Sequence, residues 1–409
     1  MNKSGDYMSV VGLVVEYNPF HNGHLYHLRE SIKKSNASVV IAVMSGHFLQ
    51  RGEPAIVSKW TRTKMALYCG VDLVVELPYA FATQKAETFA SGAVSILDAL
   101  GCDHLCFGSE LGDINPFIST NHFLEQSKAE YEDLIQHYVK TGVSYPNALT
   151  LAYKNLNGDK ELLDLSLPNN ILGFYYVRAI LKQHSNIEPL TIKRTSAGYH
   201  DEQFRSPTIA SATSIRKALF SENHHIQSYV PEVTLQLLQE NKKDYHLHRW
   251  ELYFQLLKYR IMTMTTKEIG SIYEVEEGLE HRIKRCIQSA LSFQEFMESL
   301  KTKRYTWTRL QRLCTHILTN TTKEQMKCMN EGQTSPYVRL LGMSTEGQAY
   351  LSHIKKQLML PLISKVTSFD HPLLDLDIKA AHAYQMIYDE PIRTKRLKEE
   401  FSTPPIRVR

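Results

Sequence analysis

No apolar run in this chain reaches the roughly 18 residues that a membrane helix requires, so no membrane partner is expected. The opening Asn2-Lys3-Ser4-Gly5-Asp6 lacks the apolar core and small-residue cleavage site of a secretory signal. A cytoplasmic location is the expectation. Cysteine is scarce and scattered, at Cys69, Cys102, Cys106, Cys286, Cys314 and Cys328. Only Cys102 and Cys106 lie close together, and no second pair completes a zinc framework, so free thiols and no protein-bound metal are expected. There is no internal repeat, no low-complexity segment and no extreme of charge. The net charge is +4 over 409 residues, spread as about −1 in residues 1–220 and about +5 beyond them. A mildly basic second half is compatible with a polyanion partner but does not establish one.

What is present begins with alternation. Val10–Val15, Ser38–Met44, Leu73–Pro78 and His104–Gly108 read as short, continuously apolar strands. Helical stretches separate them, at about 24–35, 59–69 and 85–100 by the spacing of their apolar residues. Strand–helix alternation with buried strands predicts an α/β fold, a Rossmann-like domain with a doubly wound parallel sheet. Ligands in such sheets bind at the carboxyl ends of the strands. Residues 113–165 read as mostly helical, with a breaker at Ser144–Asn147, and Pro189–Arg194 as a further strand. Beyond residue 225 the pattern is almost entirely helical, at Pro231–Asn241, His246–Thr263, Ile283–Ser299 and Thr308–Leu318, with one short strand over Lys365–Phe369. Two units are therefore expected, 1–224 with the parallel sheet and 225–409 mostly α-helical and basic.

The sharpest signal is Asn18-Pro19-Phe20-His21-Asn22-Gly23-His24, directly after the first strand and directly before a helix. A helix N-terminus offers free N–H groups and the positive end of a dipole, which together bind phosphate. Pro19 stiffens the loop, and Gly23 permits close backbone approach. Two imidazoles at that point add proton donors where negative charge grows during attack on an α-phosphorus. A second cluster, Ser211-Ala212-Thr213-Ser214-Ile215-Arg216, sets N-cap hydroxyls and a cation at the start of another helix. Alone it also reads as an ordinary cap with a solvated arginine. With His-x-Gly-His it completes a site for a triphosphate.

These two motifs, with Phe107-Gly108-Ser109-Glu110 after the fourth strand, resemble the signatures of the nucleotidylyltransferase superfamily. A closer resemblance is to the bacterial tRNA(Met) cytidine acetate ligases. It is carried by Gly12 to His24, by Met44-Ser45-Gly46-His47-Phe48-Leu49-Gln50-Arg51-Gly52-Glu53-Pro54-Ala55, by Val75-Glu76-Leu77-Pro78, and by Ile192-Lys193-Arg194 with Gly198-Tyr199-His200-Asp201. The resemblance implies an ATP-dependent ligase. Acetate would be activated as acetyl-adenylate with release of pyrophosphate. The acetyl group would then pass to the wobble cytidine of elongator tRNA(Met), giving N4-acetylcytidine. ATP is the implied co-substrate, with Mg2+ held mainly by its phosphates.

It also implies residue roles. His21, His24, Ser211, Thr213 and Arg216 would act on the phosphates. The ATP loop would run through Val14, Val15, Glu16, Tyr17, Asn18, Pro19, Phe20, His21, Asn22, Gly23, His24, Leu25, Tyr26 and His27, joined by Gly108, Asn169, Arg194 and Thr195. Arg51, Lys59 and Arg62, after the second strand, either hold an anion or pair with Glu53 and Glu87.

In the second half, Lys301, Lys303, Arg304 and Arg309 interleave with Tyr305 and Trp307. Cations contact phosphate and aromatics stack unpaired bases, so this segment is the expected RNA-binding surface. The same residues also read as a solvated helix start with Trp307 in the core. No protein partner is evident. Two other readings stay open on the residues alone: a small-molecule adenylyltransferase that joins AMP to a phosphorylated metabolite, and a non-catalytic RNA-binding protein on a nucleotide-binding fold. The extra basic half weighs against the first, and the intact histidines, Thr213 and Arg216 weigh against the second.

Overall fold

A computed structural model of the chain describes residues 8–157, 162–194, 208–221, 225–244, 246–276, 278–329 and 332–409. Five parallel strands carry the nucleotide half: β1 (Val10–Val15), β2 (Val39–Ser45), β3 (Leu73–Leu77), β4 (His104–Ser109) and β5 (Glu188–Lys193). They lie in the order β5-β4-β1-β2-β3. The winding reverses between β1 and β4, so a crevice opens above the carboxyl ends of those two strands.

The central strands are apolar on both faces because both faces are covered. Val39, Ile41 and Val43 enter one core, while Val40, Ala42 and Met44 enter the other. The first core is packed by α3 (Ala86–Ala99) and α4 (Pro168–Lys182). The second is covered by α1 (Asn22–Ser35), α2 (Lys59–Tyr68) and α5 (Ala212–Phe220).

The expected boundary at residues 224 and 225 does not part the core. Trp250, Phe254 and Leu257 of α6 (Trp250–Thr263), Leu313 and Ile317 of α7 (Trp307–Leu318), and Tyr384 of α8 (Pro372–Gln385) belong to the same apolar cluster as Ile41 and Val75. The sheet itself continues into the second half. Strand β6 (Val338–Met343) pairs antiparallel with β3, and β7 (Leu362–Ile363) and β8 (Ile406–Arg407) pair with β6. The fully buried β6 is not expected from the sequence, because Arg339 interrupts its apolar run. The strand expected over Lys365–Phe369 is instead a single 3-10 turn, Val366–Ser368. The long helix expected over Ile283–Ser299 is two helices, Leu279–Ser289 and Phe293–Leu300; the second opens at an N-cap, Ser292, whose hydroxyl accepts from the Glu295 amide. All six cysteines are free thiols.

A four-charge cluster closes the β6 side of the sheet. Lys59, at the first turn of α2, lies 2.7 Å from Glu76 of β3 and also pairs with Glu400 of α9 (Ile392–Ser402). Arg339 of β6 lies 3.1 Å from Glu76 and 2.9 Å from Glu400. All four side chains are at most 4 % exposed. Two cations and two anions balance, which is the condition for burying charge at all.

Candidate active site

The crevice between β1 and β4 holds a cavity of about 450 Å³. Val14 and Val15 of β1 enter it with Glu16, which follows that strand, and Phe107 and Gly108 enter from β4. The start of α1 contributes Gly23 and the histidines. The placement follows from topology: the strands end here and the helix N-terminus begins here.

His21 is the N-cap of α1. Its backbone is extended, and its Nδ1 accepts from the Gly23 amide at 3.0 Å. His24, three residues on, returns the bond: its Nδ1 accepts from the His21 amide at 3.3 Å. The pair forms a capping box built from two imidazoles, with rings stacked 3.7 Å apart. This arrangement fixes the tautomers. A neutral imidazole that accepts at Nδ1 carries its proton on Nε2, so each ring has an Nε2–H left to donate. Both rings stay neutral. Burial, reinforced by Arg194 and Arg216, pushes His21 down to about 3. Burial and the adjacent His21 push His24 well below the usual histidine range. His27, one turn on, is pushed down to about 4 by burial and Arg194, and its buried Nε2 has no hydrogen-bond partner among the described residues. Neutral N–H donors at a helix N-terminus suit an anion.

The far wall comes from the second half of the nucleotide region. Asn169 opens α4, and its Nδ2 donates to Glu110 Oε1 at 2.7 Å. Glu110 also accepts from the Asn169 and Asn170 amides, at 3.2 and 2.8 Å, and so caps that helix. Arg194 follows β5 and lines the cavity beside Gly108, where a Cβ would stand 3.3 Å from the Arg194 Cγ. Thr195 lies outside the described residues, as do Gly198, Tyr199, His200 and Asp201.

Several expected residues support the cavity without lining it. Asn18 is buried, and its Oδ1 accepts from the Ile56 amide at 2.7 Å. Tyr17 and Phe20 are core side chains. Asn22 donates to the Thr208 and Ser228 carbonyls, which ties the start of α1 to the segment before α5. Pro19 and Leu25 are likewise absent from the lining, whereas Tyr26 is on it.

The second motif forms the expected cap, with Ser211 Oγ accepting from the Ser214 amide at 3.1 Å. Ile209 and Ala210 line the cavity, but Ser211, Thr213 and Arg216 do not. Arg216 instead donates to the Asn18 carbonyl at 3.1 Å and pairs with Glu53 at 3.0 Å. It thereby clamps the histidine loop to the loop after β2.

That loop resolves the question left by Arg51, Lys59 and Arg62. Arg51 lines the cavity. Lys59 belongs to the buried four-charge cluster. Arg62 is fully buried and donates to the carbonyls of Glu16, Ser45, Gly46 and Val57, so it joins the ends of β1 and β2 rather than facing a ligand. Glu87 pairs with Lys85 and Lys182 on the surface.

Cavity residues that the sequence does not assign to the nucleotide site include Gln50, Phe89, Tyr176, Thr308 and Arg312. The last two come from α7, so the helical half reaches the site. Gly52, at φ +78°, makes that contact possible: a Cβ there would lie 2.5 Å from the Arg312 backbone nitrogen. Arg312 itself pairs with Glu274 at 2.7 Å.

The basic segment before α7 divides. Lys301, Lys303 and Arg304 are exposed. Tyr305 is buried, with the guanidinium groups of Arg304 and Arg309 5.8 and 5.0 Å from its ring centre, so it is not a free platform for a base. Trp307 is half-buried against the core and donates to Gln311 at 3.3 Å. Arg309 pairs with Glu276.

The model of the HIGH Nucleotidyl Transferase family matches residues 8–400. The chain is 55% identical over 405 residues to the tRNA(Met) cytidine acetate ligase of a Geobacillus species, covering 98% of this chain and all of that one. It is 53% identical to the enzyme of the same name from Halalkalibacterium halodurans, covering 98% of each chain. Among solved structures it is similar to apo TmcAL of Thermotoga maritima, with a TM-score of 0.90 at 35% identity, covering 98% of this chain and all of the other. The same protein bound to alpha-thio ATP matches with a TM-score of 0.89 at 34% identity, with the same coverage.

Proposed function

Because the chain belongs to the tRNA(Met) cytidine acetate ligases, within the HIGH nucleotidyl transferase family, we propose that its cavity activates acetate with ATP and that its helical half presents elongator tRNA(Met) to the product. The protein is an ATP-dependent ligase that modifies tRNA. The division of labour between residues 1–224 and 225–409, and the residue roles below, belong to the proposal.

The observation that carries the reading is the imidazole capping box. ATP would lie along the crevice with its phosphates at the start of α1. An acetate oxygen attacks the α-phosphorus, a P–O bond forms, the bond to the β-phosphate bridge breaks, and pyrophosphate leaves. Negative charge rises on the α-phosphoryl oxygens in that transition state. The Nε2–H groups of His21 and His24, at the positive end of the α1 dipole, are fixed to meet it, which is how preorganised donors lower such a barrier. With both Nδ1 atoms occupied, neither histidine is a base. Gly108 permits close approach of the nucleotide, and Asn169 and Arg194 complete its seat. Arg216 holds the loop that carries the histidines, Ser211 caps the helix that carries Arg216, and Thr213 lies in the first turn of that helix.

No group of three or more His, Cys, Asp or Glu residues able to hold a metal is present among the described residues. Glu16 is the sole acidic residue among the described lining residues. The donor set therefore fits Mg2+ carried in by the triphosphate, which would neutralise phosphate charge. On the surface, Lys301, Lys303 and Arg304 would contact tRNA phosphates, with Arg309 and Trp307 shaping their support. No helix among the described residues is long and apolar enough to cross a membrane, and action on tRNA would place the enzyme in the cytoplasm.

Incubation with labelled acetate, ATP and total tRNA tests this reading. Acetylcytidine in the RNA, together with acetate-dependent pyrophosphate exchange in the absence of RNA, is expected. Transfer of AMP to a phosphorylated metabolite with neither of those activities would overturn it.

A further inference from the structure

The acetyl-transfer step leaves a proton to be removed. The exocyclic amine of cytidine attacks the carbonyl carbon of acetyl-adenylate, a C–N bond forms, and the C–O bond to the phosphate breaks. AMP departs as an anion, and one N–H proton must leave the new amide nitrogen. The capping box excludes His21 and His24 as acceptors, because their Nδ1 atoms already accept backbone amides. His27 is pushed down to about 4, which makes it a weak base.

Glu16 differs from all of these. It is the last residue before the histidine loop, at the carboxyl end of β1, and it lines the cavity. One carboxylate oxygen, Oε1, accepts from the Gln50 amide at 2.8 Å, which fixes its orientation. As an acceptor-only group it repels phosphate, so a place in the ATP loop as a phosphate ligand does not suit it. Its neighbours suit a base instead. Phe89, Phe107 and Tyr176 line the same cavity as core side chains at most 5 % exposed. They surround the carboxylate with apolar groups, which disfavours its charged form and strengthens it as a proton acceptor.

We propose that Glu16 accepts the proton from the attacking cytidine amine, its Oε2 taking the proton as AMP leaves. The assignment rests on the ligase reading above. The surroundings tune the group for the task. Burial pushes the Glu16 carboxyl above the usual range, the Gln50 amide opposes this, Glu53 adds to it, and Arg51 and Arg216 oppose it. The other charged and titratable groups near it are Arg62, which donates to the Glu16 carbonyl, Tyr176, and the Arg312 guanidinium across the cavity. A buried carboxylate held by one amide, with its pKa raised by burial, is a stronger proton acceptor than an exposed one.

The test supplies preformed acetyl-adenylate and tRNA in single turnover, from pH 5 to 8.5. The wild-type transfer rate is expected to rise through the raised Glu16 titration to a plateau. Glu16→Gln, which keeps an oxygen for the Gln50 amide, is expected to lower that plateau by about 10²–10⁴-fold and to abolish the limb. Glu16→Asp is expected to keep a limb at reduced rate. Acetate-dependent pyrophosphate exchange by Glu16→Gln is expected to fall by a much smaller factor than transfer. Equal losses in the two half-reactions would make Glu16 a mere anchor for Gln50 and overturn the proposal. So would transfer within about threefold of wild type with the limb intact. If wild type itself shows neither exchange nor transfer, the ligase reading fails first and takes this proposal with it.

Discussion

Replacing Glu400 by glutamine removes one charge from the four-charge cluster and nothing else of comparable size. Lys59 and Arg339 then share Glu76 alone, which leaves one uncompensated positive charge in a site where every partner is at most 4 % exposed. Burial by itself would raise the Glu400 carboxyl, yet Arg339 and Lys59 hold it well below the usual range, so it is ionised in the native state at neutral pH. Breaking a buried pair by removing one partner costs about 3–5 kcal/mol. With an unfolding entropy of about 2.1 cal/mol/K per residue, a chain of 409 residues converts that loss into a fall in Tm of about 4–6 °C. Differential scanning calorimetry at pH 7.5 measures it. A second variant separates charge from shape. Lys59→Met combined with Glu400→Gln restores neutrality around Arg339 and Glu76, so the double variant is expected to be less destabilised than the sum of the single ones. A Glu400→Gln Tm within about 1 °C of wild type would refute the reasoning, and so would a double variant at or beyond additivity.

Three further outcomes follow from the site. His21→Asn retains a side-chain oxygen able to cap α1 but loses the Nε2–H donor, so acetate-dependent pyrophosphate exchange is expected to fall by about 10²–10³-fold with urea stability changed by less than about 0.5 kcal/mol. The buried rings give stability a defined pH dependence. His21 stays neutral in the fold down to about 3, whereas the unfolded chain takes up a proton near pH 6.5. The unfolded state therefore binds more protons below pH 6.5, and stability is lost as pH falls, while nothing from this ring changes above it. The unfolding free energy from urea titrations is expected to drop between pH 7.5 and pH 5, by about 1–2 kcal/mol from this residue, and His21→Asn should blunt that drop. Lys303→Ala combined with Arg304→Ala is expected to weaken tRNA binding in filter assays and to lessen the salt slope by about 1.4–1.8, the release expected from two phosphate contacts. An unchanged slope would place the RNA elsewhere.

The parts of the molecule legible in its sequence are those governed by local pattern. Strands β1 to β4 are mainly apolar runs between breakers, and each of β1 to β5 lies within about a residue of its expected place. The histidine loop was legible because strand, loop and helix are adjacent in the chain. Long-range charge pairing was not. Arg339 and Glu400 look like surface residues, since a run such as Val338-Arg339-Leu340-Leu341 gives no sign that Glu76 and Glu400 wait to neutralise its cation. Thr308 and Arg312 were hidden for a related reason. Their place in the cavity depends on α7 docking against Gly52, a contact between residues about 260 apart. Tyr305 shows the opposite error. An aromatic among cations reads as a base-stacking platform, but its burial under Arg304 and Arg309 makes it part of the support. Composition alone does not separate these two uses of one ring.

The return of the chain's last strands and helix to its first sheet has a consequence for synthesis. Lys59 and Glu400 are 341 residues apart, and at about 5–20 residues per second Lys59 leaves the ribosome about 17–70 s before its second counter-charge. For most of that interval β3 has an unpaired edge, since β6 does not yet exist, and α2 carries an amine that Glu76 alone must balance. A nascent chain can thus hold both histidines while lacking the frame that fixes them. Prematurely released chains are expected to enter proteolysis rather than persist as partial enzymes that consume ATP without a tRNA to modify. Pulse-chase of chains ended before residue 338, compared with full-length chains, measures that difference in lifetime.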